Sequence, residues 1–325
     1  MPEIRANDRF ANRVISRLKL RQLQLLVGVG QFRSILHAAR QLNISQPAAT
    51  KLIKDLEADL GVVLFDRSNR GVVPTPFGTA LIRQGQLILS QITRAADEIG
   101  ELRDGFSGRI AVGTLLAASA SLLPRAVSML TNERPGLMVH IHEGTNDHLM
   151  PMLRAGDLDF VMGRLSEQRY RADLIQEPLF DERVICVARP GHPLSGSAQV
   201  AQQQVLDFGW ILPPGETTLR RQIDLMLLET GLGGPRRTVQ SVSYLFNRGL
   251  LVVSDTVALV PEHAVETDLA NGTLVELGWQ VPLAAGTVGV SRRRDGELSP
   301  AAEAFLGFVR QVARQTLGPV MQAAE

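Results

Sequence analysis

The stretch Ala38-Ala-Arg-Gln-Leu-Asn-Ile-Ser-Gln-Pro-Ala-Ala-Thr-Lys51 decides the fold of the first part of the chain. Ser34 to Gln41 predicts a short helix whose small residues, Ala38 and Ala39, allow close helix packing. Leu42-Asn43-Ile44 then turns the chain, and Asn43 tolerates left-handed backbone geometry. Ser45 is a good N-cap, and Pro47 fits a first helical turn, where a missing N–H costs nothing. The helix opened there runs from Gln46 to about Leu60, and Gly61 stops it. Ala49, Leu52, Ile53, Leu56 and Leu60 form its inward stripe, while Gln46, Pro47, Thr50, Lys51 and Lys54 face away. A tight turn followed by a helix exposing Gln, Thr and Lys is what a major-groove reader needs. Gln pairs bidentately with an adenine edge, Thr offers a hydroxyl and a methyl, and Lys meets bases or phosphates. An ordinary three-helix surface with solvated polar residues is the alternative.

Outward from this core, Leu20 to Val27 begins an earlier helix on which Leu20, Leu23, Val27 and Phe32 can share a face, with Gly28, Gly30 and Gln31 expected to end it. On the other side, Val62 to Phe65 and Gly71 to Val73 read as two short strands, with Arg67 and Arg70 at or near the turn. A basic hairpin there would act as a wing touching phosphates or a minor groove. Thr75 can cap, and Pro76 can open, a helix reaching Arg103, roughly 42 Å long. On it Leu81, Gly85, Ile88, Ile92, Ala95, Ile99 and Leu102 recur at spacings of 4-3-4-3-4-3, a heptad seam suited to pairing two chains. Packing on its own domain is the other reading.

Composition sets the frame. The chain has 325 residues, 45% hydrophobic and 21% charged, a globular makeup of two or three domains. The net charge of +1 hides an asymmetry: residues 1–82 hold 12 Lys+Arg against 6 Asp+Glu, and the remainder 22 against 27. A basic head on a mildly acidic body suits a polyanionic partner. The single cysteine, Cys186, excludes an intramolecular disulfide and a Cys-based zinc site, and its apolar run reads as a buried thiol. No apolar run approaches the ~20 residues of a membrane span, and residues 1–20 have no signal-peptide core, so no membrane is expected and the expected location is the cytoplasm.

From about residue 108 the chain alternates β-rich runs with amphipathic segments. Arg109–Gly113, Leu137–His142 and Leu158–Gly163 read as strands of a βαβαβ unit. A second subdomain includes strands at Val184–Arg189 and Val257–Val260 and a helix at Leu219–Glu229. The chain then returns through Ala285–Arg292 and a helix from Pro300 to Leu317. The passages Gly163–Ser166 and Pro261–Glu266 read as a two-stranded hinge. A cleft between such subdomains is a natural ligand site. Thr114, Ser119 and Ser121, where a strand passes into a helix, suit an anion, and Thr217 and Thr218 complete the site. The expected ligand is a small organic acid, with a sugar as the alternative. His140, His142 and His148 near Glu143 and Asp147 read as polar strand residues, so no metal and no cofactor is expected. Arg292-Arg-Arg294 reads as a solvated turn. No nucleophile elbow, P-loop or dinucleotide fingerprint occurs in a fitting context, and no enzyme is expected.

The Ser45-Gln-Pro-Ala48 step, Leu56-Glu with Leu60-Gly61, Leu64-Phe-Asp-Arg67 and Thr75-Pro-Phe-Gly78 follow in order, and together they resemble LysR-type transcriptional regulators. The resemblance extends over roughly residues 18–317. It departs at Ile35, Leu36 and His37, bulkier than the family's small residues, and in about 17 preceding residues. It implies an α+β multidomain chain: an extension at 1–17, a winged helix-turn-helix at 18–75, a linker helix at 76–104, an effector domain at 105–317 and a tail at 318–325. The effector domain would resemble periplasmic solute-binding proteins, with subdomain I at about 108–165 and 267–317 and subdomain II at about 166–266. Carried over, DNA contacts fall on Arg33, Ser34, Ser45, Gln46, Pro47, Thr50, Lys51, Lys54, Arg67 and Arg70. Effector contacts gain Gly163, Arg164, Val260 and Pro261. The implied partners are double-stranded DNA with an interrupted palindrome, a small effector, a second or further copies as dimer or tetramer, and RNA polymerase.

Overall fold

The computed structural model describes residues 14–68, 71–104, 108–165, 173–231, 233–283 and 286–316. They fall into two compact units, Met1–Ala96 and Asp97–Glu325.

The first unit opens with helix α1 (Leu20–Phe32), α2 (Ile35–Gln41) and α3 (Gln46–Leu60), then strands β1 (Phe65–Ser68) and β2 (Gly71–Pro74), and continues into α4 (Pro76–Asp104). Local devices set the joints. Asn43 and Gly61 are left-handed, with φ of 51° and 70°. The Ser34 and Ser45 hydroxyls accept from the backbone N–H of His37 and Ala48. Leu23, Leu25, Leu26, Val29, Ile53 and Leu56 make the core. Three expectations need correction. Gly28 and Gly30 do not end α1, which runs to Phe32 and closes on a left-handed Arg33. A Cβ on Gly28 would lie 3.3 Å from Ala38 Cβ, and one on Gly30 2.6 Å from Ile82 Cδ1, so these glycines admit neighbouring helices. Leu20 and Phe32 are exposed, and the buried face belongs to Gln22, Leu23, Leu25, Leu26 and Val29. Val62 to Leu64 also lie outside the strands.

The second unit holds two five-stranded sheets. The first has the order β4 (Met138–Glu143), β3 (Arg109–Thr114), β5 (Phe160–Arg164), β12 (Gly286–Arg293), β6 (Leu174–Glu182). Helices α5 (Leu116–Ser119), α6 (Leu122–Glu133), α7 (Asn146–Ala155) and α12 (Pro300–Thr316) accompany it. The second sheet has the order β11 (Val275–Glu276), β7 (Val184–Ala188), β10 (Val257–Pro261), β8 (Gly209–Leu212), β9 (Arg237–Gln240), with α8 (Gln202–Leu206), α9 (Thr218–Thr230), α10 (Tyr244–Val253) and α11 (Glu266–Ala270). Strands β7, β8 and β10 are buried along their whole length, as their unbroken apolar sequences require of strands covered on both faces.

The sheets relocate the expected subdomain boundaries. β6 pairs along its length with β12, so residues 174–182 belong to the first sheet, and the chain crosses at Glu182–Val184 rather than at Gly163–Ser166. After Pro261 a 3₁₀ turn, Glu262–Ala264, touches the first subdomain, where His263 stacks edge-on against Phe180. The chain then turns back, because β11 pairs with β7 and Trp279 joins the core around Trp210. The return precedes β12, about twenty residues beyond the expected boundary at 266. Arg293 is no turn residue either: it is buried in β12 and donates to the carbonyls of Leu153 and Leu158 at 2.7 and 3.1 Å.

Candidate nucleic-acid interface and ligand cleft

In the first unit, Gln46, Pro47, Lys51 and Lys54 are exposed on α3 and Thr50 is half-buried beside them. Hydrogen bonds fix this row relative to the hairpin. Glu57 Oε1 accepts from Leu64 N at 2.8 Å and Phe65 N at 3.3 Å, tying α3 to the start of β1. Val72 N donates to the carbonyl of Arg33 at 3.3 Å, tying β2 to the start of α2. Thr75 Oγ1 donates to Val63 O and accepts from Gly78 N, joining the hairpin to α4. Arg33 is exposed and Ser34 half-buried at one end of this surface. Arg67 lies within β1, opposite Val72, while Arg70 lies outside the described residues. The N-terminal extension also lies outside them as far as residue 13, but Arg17 reaches Asp59 on α3 at 3.0 Å.

The seam on α4 divides. Leu81 packs into the head's own core, and Gly85 is buried where a Cβ would come 3.3 Å from Val27 Cγ2. Ile88, Ile92 and Ile99 are 41%, 45% and 66% exposed, an apolar row that a single chain leaves in water. Ala95 is exposed with them, and the Leu102 side chain lies outside the described residues.

In the second unit, a cavity of about 320 Å³ lies at the carboxyl ends of β3, β4, β5, β8 and β9. Ligands sit at such strand ends in open α/β sheets, where loops and helix N-termini converge. Arg164 closes β5 and Glu182 closes β6, on either side of β12. Between them stands Gly286: a Cβ there would lie 2.2 Å from Arg164 Cζ. That gap seats the guanidinium, whose Nε donates to Glu182 Oε1 at 2.8 Å. Nη1 donates to Gln222 Oε1 of α9, so Arg164 joins both subdomains. Burial pushes the Glu182 carboxyl above its ordinary range, against the pull of Arg164.

Of the expected ligand contacts, Arg164, Thr217, Thr218, Val260 and Pro261 line this cavity. Thr114, Ser119, Ser121 and Gly163 do not. Thr114 is fully buried and its hydroxyl donates to Leu115 O, while Ser119 donates to Leu116 O. Gly163, at φ 154°, makes room for Leu115, which its Cβ would approach to 2.6 Å. Sequence reasoning missed Glu182, Asn247, Ser241 and Ser243, all in the lining. Ser243, the N-cap of α10, carried the one readable signal. Among the described residues, no group of three or more His, Cys, Asp or Glu is placed to hold a metal, and no helix is long and apolar enough to cross a membrane.

Residues 103–314 match the LysR substrate binding domain, and residues 20–79 match the bacterial regulatory helix-turn-helix protein, lysR family. The chain belongs to the LysR family of transcriptional regulators. This LysR-type regulator is 31% identical over 296 residues to the HTH-type transcriptional regulator GbpR of Azospirillum brasilense, covering 91% of the chain and 86% of GbpR. It is also 31% identical over 300 residues to the regulator PcaQ of Agrobacterium fabrum, covering 92% of the chain and 96% of PcaQ. A full-length OxyR variant from Pseudomonas aeruginosa aligns with a TM-score of 0.65 at 25% identity, over 95% of this chain and 99% of that one. The LysR-type regulator thus binds DNA through its head and carries an effector-binding domain, and it is not an enzyme.

Proposed function

We propose that this LysR-type regulator binds an interrupted palindromic promoter site as a homodimer or homotetramer and responds to a small organic acid or sugar in the cleft. The observation carrying this reading is the polar row Gln46, Thr50, Lys51 and Lys54, held against the hairpin by Glu57. Two copies paired along Ile88, Ile92, Ala95 and Ile99 present two such rows to two half-sites. Thr50 and Gln46 read base edges; Lys54, Arg33 and Ser34 meet phosphates. RNA polymerase, in the cytoplasm, is the further partner. An effector shifts the regulator's state only by its differential affinity for the two forms. A thiol-based signal is a poor second reading, because the only cysteine in the sequence, Cys186, is buried in β7 and burial pushes its thiol far up.

Footprinting of the full chain on its own upstream DNA at two salt concentrations tests the reading. A symmetric, interrupted protection is expected. Lys54→Ala should weaken binding and lower the salt slope by about one. Thr50→Ala should relax sequence preference more than it weakens binding to random DNA. Equal losses on both DNAs would move Thr50 out of base readout, and absence of protection at low salt would overturn the reading.

A further inference from the structure

The cleft wall is mostly apolar, and water reaches it. Leu115 and Leu116, where β3 passes into α5, line it from the first subdomain. Pro213 after β8, Leu219 in the first turn of α9 and Val242 ahead of α10 line it from the second. All five are half-buried or exposed, and Val242 keeps 46% of its surface open. The longer polar groups of the lining are withdrawn. Arg164 and Glu182 pair at 2.8 Å with side chains 6% and 0% exposed, and Asn247 is buried. Glu143 is exposed and accepts from Ser119. Among the described residues, no aromatic ring lines the cavity.

We propose that the effector carries an apolar body, a ring or chain of carbons without hydroxyls, packed on Leu115 and Leu116 of the first subdomain and on Leu219 and Val242 of the second. The assignment rests on the cleft being the effector site, and it decides between the two ligand classes in favour of an acid with a hydrophobic body over a sugar. Its basis is the accessible surface. Each methylene that leaves water against such a wall strengthens binding about fourfold. A hydroxyl in the same place gives up its water, and left unpaired it weakens binding about fivefold or more. The polar partners a sugar ring needs around its whole edge are scarce. Thr217 Oγ1 donates to Pro214 O and accepts from Arg220 N. Ser241 Oγ accepts from Ser243 N, Ser243 Oγ from Phe246 N, and Thr218 Oγ1 from Arg221 Nη2. Those last three keep an O–H to donate, which suits the acceptor oxygens of one acid group at one end of the ligand. Leu219 and Val242 therefore set specificity, by rejecting hydroxyls on the ligand's body.

The test uses matched pairs differing in hydroxylation: cyclohexanecarboxylate against quinate, hexanoate against D-gluconate, and cyclohexanol against myo-inositol. Each is titrated calorimetrically into the full-length protein. In at least one pair the apolar member should bind about 30-fold or more tightly than its hydroxylated partner, the loss expected when several hydroxyls meet an apolar wall. Leu219→Asn, close in shape but polar, should shrink that ratio about tenfold. Leu225→Asn, exposed on the same helix but outside the cavity, should leave it unchanged, whereas mere loosening of the subdomain would weaken both members alike. Should Leu219→Asn fail to fold, Val242→Thr reads the same wall by the same ratio. A ratio moved by neither variant places the binding elsewhere and overturns the assignment. Equal or tighter binding by the hydroxylated members overturns it too and leaves the effector cleft standing. No binding by any of the six overturns the assignment and counts against the cleft itself.

Discussion

Removing the Glu57 carboxylate should loosen the hairpin from α3 by an amount the geometry fixes. One oxygen accepts from two backbone N–H groups, at 2.8 and 3.3 Å, and the nearer donor belongs to Leu64, which is buried. A hydrogen bond to a charged group contributes about 1.5–3 kcal/mol, and an orphaned buried N–H costs about as much. Glu57→Ala should therefore cost about 2–3 kcal/mol. Glu57→Gln keeps an acceptor but not the charge, so about half should be lost. For a unit the size of Met1–Ala96, each kcal/mol moves the midpoint by about 4–8 °C. The assay is calorimetry beside tryptophan fluorescence. Both tryptophans, Trp210 and Trp279, are buried in the second unit, so fluorescence reports that unit, and calorimetry both. The Ala variant should lower the head's transition by about 10 °C or more, and the Gln variant by about half as much. Equal destabilisation by the two variants, or a cost for Glu57→Ala within about 0.5 kcal/mol of zero, would refute the acceptor argument.

Gly78→Ala places a Cβ 2.0 Å from the Leu64 carbonyl oxygen, so melting should fall by about 1–3 kcal/mol despite alanine's better helix propensity, whereas Gly307→Ala, exposed on α12 with nothing within 4 Å, should gain up to about 1 kcal/mol. Both changes moving the same way would contradict the packing account. Cys186 should resist a thiol reagent in the native protein and react readily in concentrated guanidinium; native reactivity at the rate of a free thiol would show that β7 opens. Arg310 donates to both oxygens of Glu177 at 2.7 Å and holds that carboxyl below its ordinary 4.5. A lowered folded value means stability present above 4.5 and lost as pH falls through the folded value. In urea melts from pH 6 down to 3, Arg310→Met should flatten this acid-side slope, and an unchanged slope would exclude the pair as its source.

The head was legible because its devices are local. Ser45 caps the helix it precedes, Asn43 and Gly61 take the left-handed turns their residue types favour, and the inward stripe repeats at helical spacing. The two glycines of α1 misled for the complementary reason. Their purpose lies in Ala38 and Ile82, neighbours in space that local propensity does not include. The same blindness placed β6 in the wrong subdomain. Its sequence, Leu174-Ile-Gln-Glu-Pro-Leu-Phe-Asp-Glu182, names no sheet, and its partner β12 lies more than a hundred residues further on.

The cleft shows where local reading stops and why. Hydroxyl residues at strand-to-helix junctions are conspicuous in a sequence, yet Thr114 and Ser119 spend their hydroxyls on nearby carbonyls, as short polar side chains commonly do. The charged groups at the strand ends became partners only through tertiary structure. Arg164 meets Glu182 because β12 runs between their strands, and it can cross β12 only where Gly286 lacks a side chain. It meets Gln222 only because the second subdomain closes from the other side. Each of these residues alone reads as an ordinary polar residue or a flexible joint. A charged network that bridges both subdomains is a property of the crossing strands.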